Sequence, residues 1–374
     1  MNFRYIMAVL SSAALLGGCS DKDVTAYSPK AIGFSAEDCG SRHSVQSGTR
    51  MPDAPPSPAV FAAGDAIGVF ACFGDDPQAA FSSNFMHNQP VTFDGTSWSY
   101  SPLKYWPTNG SVRFRAYFPY GAAFDSSTDG LLTISHECRT ALEPLYAASC
   151  SVKAENGSLS GDGIGDSGNL RLSFSPLLNK VNFTANADSN LFDEVESDQF
   201  KDCRFLIKEF RVWGFYRKGV YSMADKSWST VSPQMQYTRE HPLELKLDLV
   251  DVEKAVPGYA VDEPNGYCTR EAVVLVEGEK AKNILGKSAY FIPMDGVIPG
   301  NDPGFEVVYV VLTNTADSHD YKESGIVTRT GSLREVFAGN SGLIQKIIHI
   351  NLEFSVDGVT VTRDLEDYIY KEMF

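Results

Sequence analysis

The stretch Lys346-Ile347-Ile348-His349-Ile350-Asn351-Leu352-Glu353-Phe354-Ser355-Val356 alternates apolar and polar side chains more regularly than any other part of the chain. Such a period of two places the apolar side chains on one face of a β-strand. Asp357-Gly358 follows as a two-residue type I′ hairpin signal, and Val359 and Val361 begin a returning strand. The stretch therefore predicts an antiparallel hairpin with one buried face.

The same pattern of short strands and turns recurs along the rest of the chain. In Val112–Phe118 the apolar residues again alternate with arginines and a tyrosine, whereas helical periodicity is scarce. We therefore expect an all-β fold of antiparallel β-sandwich type rather than an α/β fold. The other clear strand predictions are Ala66–Phe73, Pro90–Phe93, Ser97–Tyr100, Leu131–Ser135, Phe205–Tyr216, His241–Leu249, Ala272–Val276, Ala289–Pro293 and Phe305–Thr313.

Length and composition favour a folded protein of two domains, or of one large domain with extensions. The chain has 374 residues, of which 43% are hydrophobic and 12% aromatic, enough to fill sizeable cores. Its formal net charge is -15, which argues against a protein that binds nucleic acid by neutralising phosphates.

The first 19 residues resemble a lipoprotein export signal. Arg4 precedes an apolar run that is too short to span a bilayer, and the run ends in Leu16-Gly17-Gly18-Cys19. In bacterial lipoboxes two small residues precede a cysteine whose thiol is acylated. Cys19 is therefore predicted to carry the lipid that anchors the protein to a membrane. An ordinary signal peptide with an incidental cysteine is the alternative.

Four segments are predicted. Residues 1–19 are the signal peptide, 20–58 an N-terminal strand and a cleavable linker, 59–187 an N-terminal β-sandwich, and 188–374 a C-terminal β-sandwich with a terminal hairpin or appendage. The boundary near 187 precedes an acidic, polar stretch and has a margin of about 25 residues. Asn156–Asn169, rich in glycine and serine, is predicted to be a loop or linker.

Motifs that suggest chemistry lack the context that the chemistry needs. The segment 163–168 matches G-x-G-x-x-G, but it has neither a preceding strand nor a following helix. Ser167 within it has no histidine in a matching context, and Asp162 and Asp166 lack the spacing of a calcium loop. The six histidines are dispersed and form no zinc motif. We therefore predict no enzyme, no metal and no cofactor.

Several short blocks follow one another over nearly the whole chain. They are the lipobox ending at Cys19, the strand Ala31–Ala36, Thr49-Arg50, Phe61–Phe70, Tyr105-Trp106-Pro107, Val112–Tyr120, Leu145-Tyr146-Ala147, Leu172–Val181 and Phe291-Ile292-Pro293. In this order the blocks resemble the fimbrillins, which are lipoprotein pilin subunits of the type V pili of Bacteroidales-type bacteria. The resemblance implies two tandem transthyretin-like antiparallel β-sandwich domains and a structural role at the cell surface, in an outer-membrane pilus.

The resemblance also implies a mode of assembly. In that family an arginine-specific protease cuts the precursor and removes its first strand, and Arg50 matches the cleaved position, with Arg42 a less favoured neighbour. The removed strand would include Ile32 and Phe34, whose alternate spacing suits two pockets on one face. The open groove is then filled by a strand from another pilin subunit. A Thr49-Arg50 pair in an ordinary loop is the alternative.

The donor strand and the position in the pilus stay open. In stalk subunits of the family the C-terminal segment is the donor, here Val359–Phe374. Leu365, Tyr368, Ile369 and Met373 recur at helical spacing behind Asp364, a possible helix N-cap. A tip subunit, an accessory subunit or an adhesin with a host or bacterial surface ligand therefore remains an alternative to a stalk subunit.

A function of another class is a surface lipoprotein that binds glycans and does not polymerise, for which the acidic composition and 17 tyrosines would be the argument. Such a protein would not need a removable strand. The cysteines do not decide between the two functions. With Cys19 acylated, six are left, and we expect mostly unpaired thiols because Cys39 would leave with the cleaved segment and Cys72 lies in an apolar strand.

Overall fold

The computed structural model of the chain describes residues 30–35, 61–76, 79–121, 124–125, 133–138, 141, 144–165, 168–188, 202–230, 236–257, 259, 271–294, 298–315, 318–337, 346–355 and 357–367. In these ranges the only helices are α1 (Val252–Ala255) and α2 (Arg334–Phe337), of four residues each. The predicted all-β fold is confirmed. Neither helix in this part of the chain is long and apolar enough to cross a membrane.

Most strands of the first half form one antiparallel sheet, which we call sheet I. Its order is β11-β8-β5-β2-β3-β4, with β9 paired to β8. The predicted strands at 66–73 and 112–118 are confirmed as β2 and β5, each extended by one or two residues. The strands are β1 (Phe34–Ser35), β2 (Ala66–Gly74), β3 (Met86–Phe93), β4 (Trp98–Ser99), β5 (Gly110–Phe118), β6 (Phe124–Asp125), β7 (Thr133–Glu137), β8 (Tyr146–Glu155), β9 (Ser158–Ser160), β10 (Leu170–Arg171), β11 (Ser175–Pro176) and β12 (Asn179–Ala187).

The second half contributes two larger sheets. Sheet II has the order β21-β12-β25-β26 with β22 on β12, and sheet III has the order β19-β20-β13-β23-β24 with β18 on β13. The strands are β13 (Asp202–Trp213), β14 (Phe215–Tyr216), β15 (Lys218–Ser222), β16 (Ser227–Thr230), β17 (Gln236–Tyr237), β18 (Leu243–Leu245), β19 (Val250–Asp251), β20 (Glu271–Val276), β21 (Lys282–Asn283), β22 (Ala289–Phe291), β23 (Gly304–Thr315), β24 (Ser318–Ser332), β25 (Lys346–Phe354) and β26 (Val359–Asp367).

Sheets II and III pack face to face around the largest apolar core. The alternating residues of β25, from Ile348 to Phe354, are all buried there, as the period of two predicts. They meet large side chains of β13 and β23; Phe354, for example, packs against Phe205 and Tyr309. The sequence-predicted strand is therefore the centre of a sandwich.

Strand β12 lies in sheet II, although the predicted boundary near 187 assigns it to the first half. It pairs with β25 in parallel, from Lys180 with Ile347 to Ala187 with Phe354. This parallel pairing departs from the expected antiparallel pattern. The chain leaves sheet I after β11 and enters sheet II at Asn179, the first residue of β12. The position lies within the 25-residue margin, and the division into two tandem domains stays a prediction.

The C-terminal hairpin is confirmed, with one change at its turn and one at its end. The Ser355 N–H donates to the Gly358 carbonyl at 2.8 Å, so Gly358 closes the turn instead of lying at its centre. Asp364 pairs with His349 inside β26, which continues to Asp367. The helix N-cap predicted at Asp364 is therefore wrong, because cross-strand pairing overrides the local helical spacing there. Residues 368–374 lie outside the described ranges.

The two halves share a small sheet, which we call sheet IV, of order β16-β15-β7-β6. Strand β15 pairs with β7 over five residues, from Lys218 with Glu137 to Ser222 with Thr133. Sheet IV covers one face of sheet I, where Phe70 and Tyr117 pack with Ile134 and Tyr221 in a buried cluster. The opposite face of sheet I carries a separate core.

The glycine-rich stretch 156–169 is not a linker between domains. It contains β9 and a turn that returns to sheet I, where the Gly163 N–H donates to the Ser151 carbonyl at 3.3 Å. The Asp162 carboxylate accepts from the Ser151 N–H at 2.7 Å and thereby fastens the turn to β8. Asp166 and Ser167 lie outside the described residues. The described part of the stretch is therefore the loop of the two predicted forms, with the short strand β9 inside it, because its polar groups find partners on a neighbouring strand.

Candidate functional site: the groove that holds residues 30–35

Residues 30–35 lie as an extended segment between two stretches that are distant in sequence. On one side the Ile32 N–H donates to the Lys104 carbonyl at 2.8 Å, and the Trp106 N–H donates to the Lys30 carbonyl at 3.0 Å. On the other side the Leu170 N–H donates to the Gly33 carbonyl at 2.7 Å. We call the site between residues 104–106 and β10 the N-terminal groove.

The two sides of the groove run in different directions relative to the segment. Ala31 forms an antiparallel bridge with Tyr105, whereas β1 pairs in parallel with β10. Neither pairing joins chain neighbours, so no short hairpin turn fixes the segment in place. Its position depends on tertiary contacts.

The side chains of Ile32 and Phe34 fill the floor of the groove. They are 1% and 8% exposed, and both belong to the core on the face of sheet I opposite sheet IV. Trp106 and Leu170, from the two sides, are buried in the same core. Burying an aliphatic or aromatic side chain stabilises a structure by about 1.5–3 kcal/mol, so these two contribute on the order of 3–6 kcal/mol.

Tyr100 contacts the segment with its ring and with its hydroxyl. Its ring meets the ring of Phe34 edge to face, and its hydroxyl donates to the Ile32 carbonyl at 2.9 Å. The same hydroxyl also accepts from the Lys104 N–H at 3.2 Å. Burial raises the pKa of Tyr100 above its ordinary value of 10.0, so the phenol keeps its proton at neutral pH.

The turn before Tyr100 is held by one carboxylate. Asp94 accepts hydrogen bonds from the backbone N–H groups of Ser97 and Thr96, at 2.7 and 2.8 Å, and from both hydroxyls. The backbone bond from Ser97 is the main cause that lowers the pKa of Asp94 below its ordinary value. An Asx turn of this kind fixes the β3–β4 connection and so positions the start of the segment that carries Tyr100.

The predicted site residues fall into two groups. Ile32 and Phe34, which we expected to share one face, lie side by side in the N-terminal groove. Cys19, Arg42 and Arg50 lie outside the described residues, so acylation and cleavage stay predictions.

Sequence reasoning missed the residues that hold the segment. Tyr100 appeared only as the end of a predicted strand, and Trp106 only as part of a family block. Leu170 belongs to none of the predicted strands or family blocks. No spacing signal could have joined them, because their partners lie about 70 to 140 positions away along the chain.

Among the described residues, the four cysteines Cys72, Cys138, Cys150 and Cys203 form no disulfide bond. This agrees with the expectation of unpaired core cysteines, whereas Cys39 and Cys268 lie outside the described ranges. Burial raises the pKa of both Cys150 and Cys203 to about 12. Within the described part of the chain, no group of three histidine, cysteine or acidic side chains could hold a metal ion.

Known proteins that match this chain are fimbrial. "Fimbrium subunit Fim1C" of Phocaeicola vulgatus is 23% identical over 256 residues, which cover 63% of this chain and 63% of that protein. The chain thus matches less than two thirds of that relative's length. The crystal structure of a fimbrial protein from Bacteroides vulgatus superposes with a TM-score of 0.56 at 16% identity, covering 81% of this chain and 92% of that one. At that identity the likeness shows a shared fold.

A family model provides the stronger assignment. The model described as "Fimbrillin-like" matches residues 49–261, which is more than half of the chain and includes most of sheet I and sheet IV. The matched residues begin after the segment that occupies the N-terminal groove. The chain belongs to the fimbrillin-like family, a family of fimbrial structural subunits rather than enzymes.

Proposed function

We propose that this protein is a pilus subunit that polymerises when its first strand is replaced by a strand from another subunit. The observation that carries the proposal is the burial of Ile32 and Phe34 in a groove whose two sides come from residues 104–106 and β10. A cut after Arg50 would leave residues 30–35 held there by noncovalent contacts alone.

Loss of the segment would open an apolar site with unpaired backbone groups. The N–H groups of Trp106 and Leu170 and the carbonyl of Lys104 would lose the partners that they have in the intact chain. Buried backbone groups without partners are costly, and an exposed strand edge readily pairs with another chain. A donor strand that supplies two apolar side chains and the same backbone hydrogen bonds would restore both the apolar burial and the backbone pairing by β-augmentation.

The covalent connection of residues 30–35 to the rest of the chain explains why strand replacement would begin only after cleavage. While residues 30–35 belong to the same chain, their effective concentration at the groove is high, on the order of millimolar for a flexible connection. After a cut the segment competes as a separate peptide, so a donor held at high local concentration can replace it. In this proposal an arginine-specific protease is therefore the partner that starts assembly.

Export and anchoring complete the proposal. Acylation of Cys19 would attach the precursor to the outer membrane, where the protease and the other subunits meet it, and the assembled pilus would present a surface for adhesion. Replacing Cys19 by alanine should abolish labelling by a fatty-acid analogue. Labelling that persists in Cys19→Ala would disprove acylation at this residue.

The main test uses purified full-length protein and an arginine-specific protease. We expect one principal cut after Arg50, release of the fragment that contains Ile32 and Phe34, and a ladder of oligomers on native gels. Arg50→Gln should block all three, whereas Arg42→Gln should leave them intact as the matched control. A cut protein that loses the fragment and remains monomeric would contradict strand replacement between subunits, and it would favour a surface protein that does not polymerise.

A further inference from the structure

Trp106 brings an unpaired hydrogen-bond donor into the N-terminal groove. Its side chain is 2% exposed, and its ring packs edge to face against Phe114 at 5.8 Å. The indole Nε1 is buried and finds no acceptor among the described residues. A buried donor without a partner is uncommon and destabilising, so its position relative to the bound segment is informative.

The residue opposite Trp106 belongs to the segment itself. The antiparallel bridge between Ala31 and Tyr105, and the bond from the Trp106 N–H to the Lys30 carbonyl, place Lys30 directly across from Trp106. Residues opposite each other in an antiparallel pair point to the same face. The alternation agrees, because Ile32 is buried like Trp106 whereas Tyr105 is 48% exposed.

Lys30 cannot satisfy the indole. An ammonium group has three donors and no acceptor, so Lys30 brings no acceptor to this cross-strand position. The Lys30 side chain is exposed, and its Nζ donates to the Gly168 carbonyl at 3.3 Å, on the opposite side of the groove. The segment that the intact chain places in its own groove therefore supplies no acceptor to the indole, and we call this the mismatch at position 30.

We infer that Trp106 is a specificity determinant of the N-terminal groove and selects an uncharged hydrogen-bond acceptor, an amide or a hydroxyl, at the position that Lys30 occupies. This inference rests on the proposed replacement of residues 30–35 by a strand from another subunit. A donor strand with glutamine, asparagine, serine or threonine opposite Trp106 would accept from Nε1 and would remove the mismatch. The replaced segment would then be outcompeted at this position even where the apolar side chains are equivalent.

The intact full-length chain provides the first test, because position 30 can be varied without any assembly step. Lys30→Gln introduces an acceptor, and Lys30→Met is a matched control of similar length without one. We expect Lys30→Gln to have a folding equilibrium constant about three- to tenfold larger than Lys30→Met, the usual contribution of one hydrogen bond. Urea unfolding measures this difference.

The same pair of variants in a Trp106→Phe background separates the contribution of the indole from that of other hydrogen-bond partners of residue 30. A glutamine could also donate to the Gly168 carbonyl, and that contribution would persist when the indole is absent. The inference predicts that the difference between Gln and Met disappears in Trp106→Phe. Equal differences in both backgrounds, or no difference with Trp106 present, would overturn it.

The indole N–H resonance provides a second measurement that does not depend on the stability of Trp106→Phe. The chain has four tryptophans, so the indole region of an amide correlation spectrum is simple. Trp106 should shift downfield in Lys30→Gln relative to Lys30→Met as its proton gains an acceptor. An unchanged resonance would contradict the inference.

Peptides extend the test to strand replacement. After cleavage at Arg50, peptides of sequence 30–35 with Gln or Met at the first position should compete for the groove, and the Gln peptide should bind about three- to tenfold more tightly. Equal binding of the two peptides would overturn the selection by Trp106. If neither peptide binds, strand replacement fails, while the intact-chain measurements still decide whether Trp106 selects an acceptor at position 30.

Discussion

The ring of Phe34 meets the ring of Tyr100 edge to face, with centroids 5.3 Å apart and planes at 86°. The Tyr100 hydroxyl donates to the carbonyl of Ile32, two residues earlier in the same segment. One side chain thus holds the first strand through an apolar contact and a polar one. The two contacts can be separated by mutation.

Tyr100→Phe should keep the ring contact and loosen the segment. The change removes the donor to Ile32 and leaves a buried carbonyl with fewer partners, so we expect the free energy of unfolding to fall by about 0.5–1.5 kcal/mol. Urea unfolding of the intact chain measures the loss. Tyr105→Phe is the control, because that ring is 48% exposed and its change should stay within about 0.5 kcal/mol. Equal effects of the two substitutions would show that the hydroxyl of Tyr100 has no special part in holding the segment.

Two thiols, of the half-buried Cys150 and the buried Cys203, should make stability fall at high pH. The pKa of Cys150 and of Cys203 is raised to about 12 in the folded chain, above the ordinary value of 9.0. Their contribution is therefore fully present below pH 9 and is lost as the pH rises towards 12, because the unfolded chain releases the protons first. Iodoacetamide at pH 8 should label both only after unfolding, as peptide mass mapping would record. Fast labelling of either thiol in the native protein would refute this.

The two halves should unfold together, because β7 of the first half pairs with β15 of the second. Ile134 in β7 is fully buried in the cluster that both halves share, so Ile134→Ala should cost about 2–5 kcal/mol. Variants that keep only Trp106 or only Trp213 report on sheet I and on sheet III respectively. Both reporters should give the same urea midpoint, and both midpoints should fall equally with Ile134→Ala. Two separate midpoints would show that the halves unfold independently.

Removal of residues 359–374 tests the C-terminal segment as donor. Strand β26 lies at the edge of sheet II, and none of its residues with a described side chain is fully buried. Val359, Val361 and Leu365 pack only partly against the core. We therefore expect the truncated protein to stay folded by circular dichroism and to lose homopolymerisation after cleavage. Filaments of undiminished length from the truncated protein would rule out a C-terminal donor.

Several strands could be predicted because apolar and polar side chains alternate regularly along them. The period of two in 346–356 and 112–118 predicted β25 with its buried face and predicted β5, because each pattern lies within a single strand. In β5 the predicted face is buried at Val112, Phe114 and Ala116, but Tyr117 on the other face is buried as well, because β5 has a core on each side. The spacing of Ile32 and Phe34 likewise predicted a shared apolar face. The resemblance to fimbrillins came from several weak blocks in a conserved order, which no single block could have carried.

Local patterns failed at three places where pairing with another strand decided the structure. Asp364 has the local signature of a helix N-cap, yet pairing with His349 makes it part of a strand. The glycines at 161–165 resemble a linker, yet hydrogen bonds to β8 hold them. Strand β12 precedes an acidic, polar stretch, yet its parallel partner is β25, more than 160 residues later.

The sequence by itself determined the all-β fold, several of the strands and the family, because these depend on side-chain periodicity and on residues close together along the chain. The long strands β8 and β24 were not predicted. Only the tertiary structure decided which strands meet, and therefore where the N-terminal groove lies. Tyr100, Trp106 and Leu170 hold the first segment across separations that no local pattern encodes. The position of Lys30 across from Trp106, whose indole N–H finds no acceptor among the described residues, likewise depends on the tertiary structure.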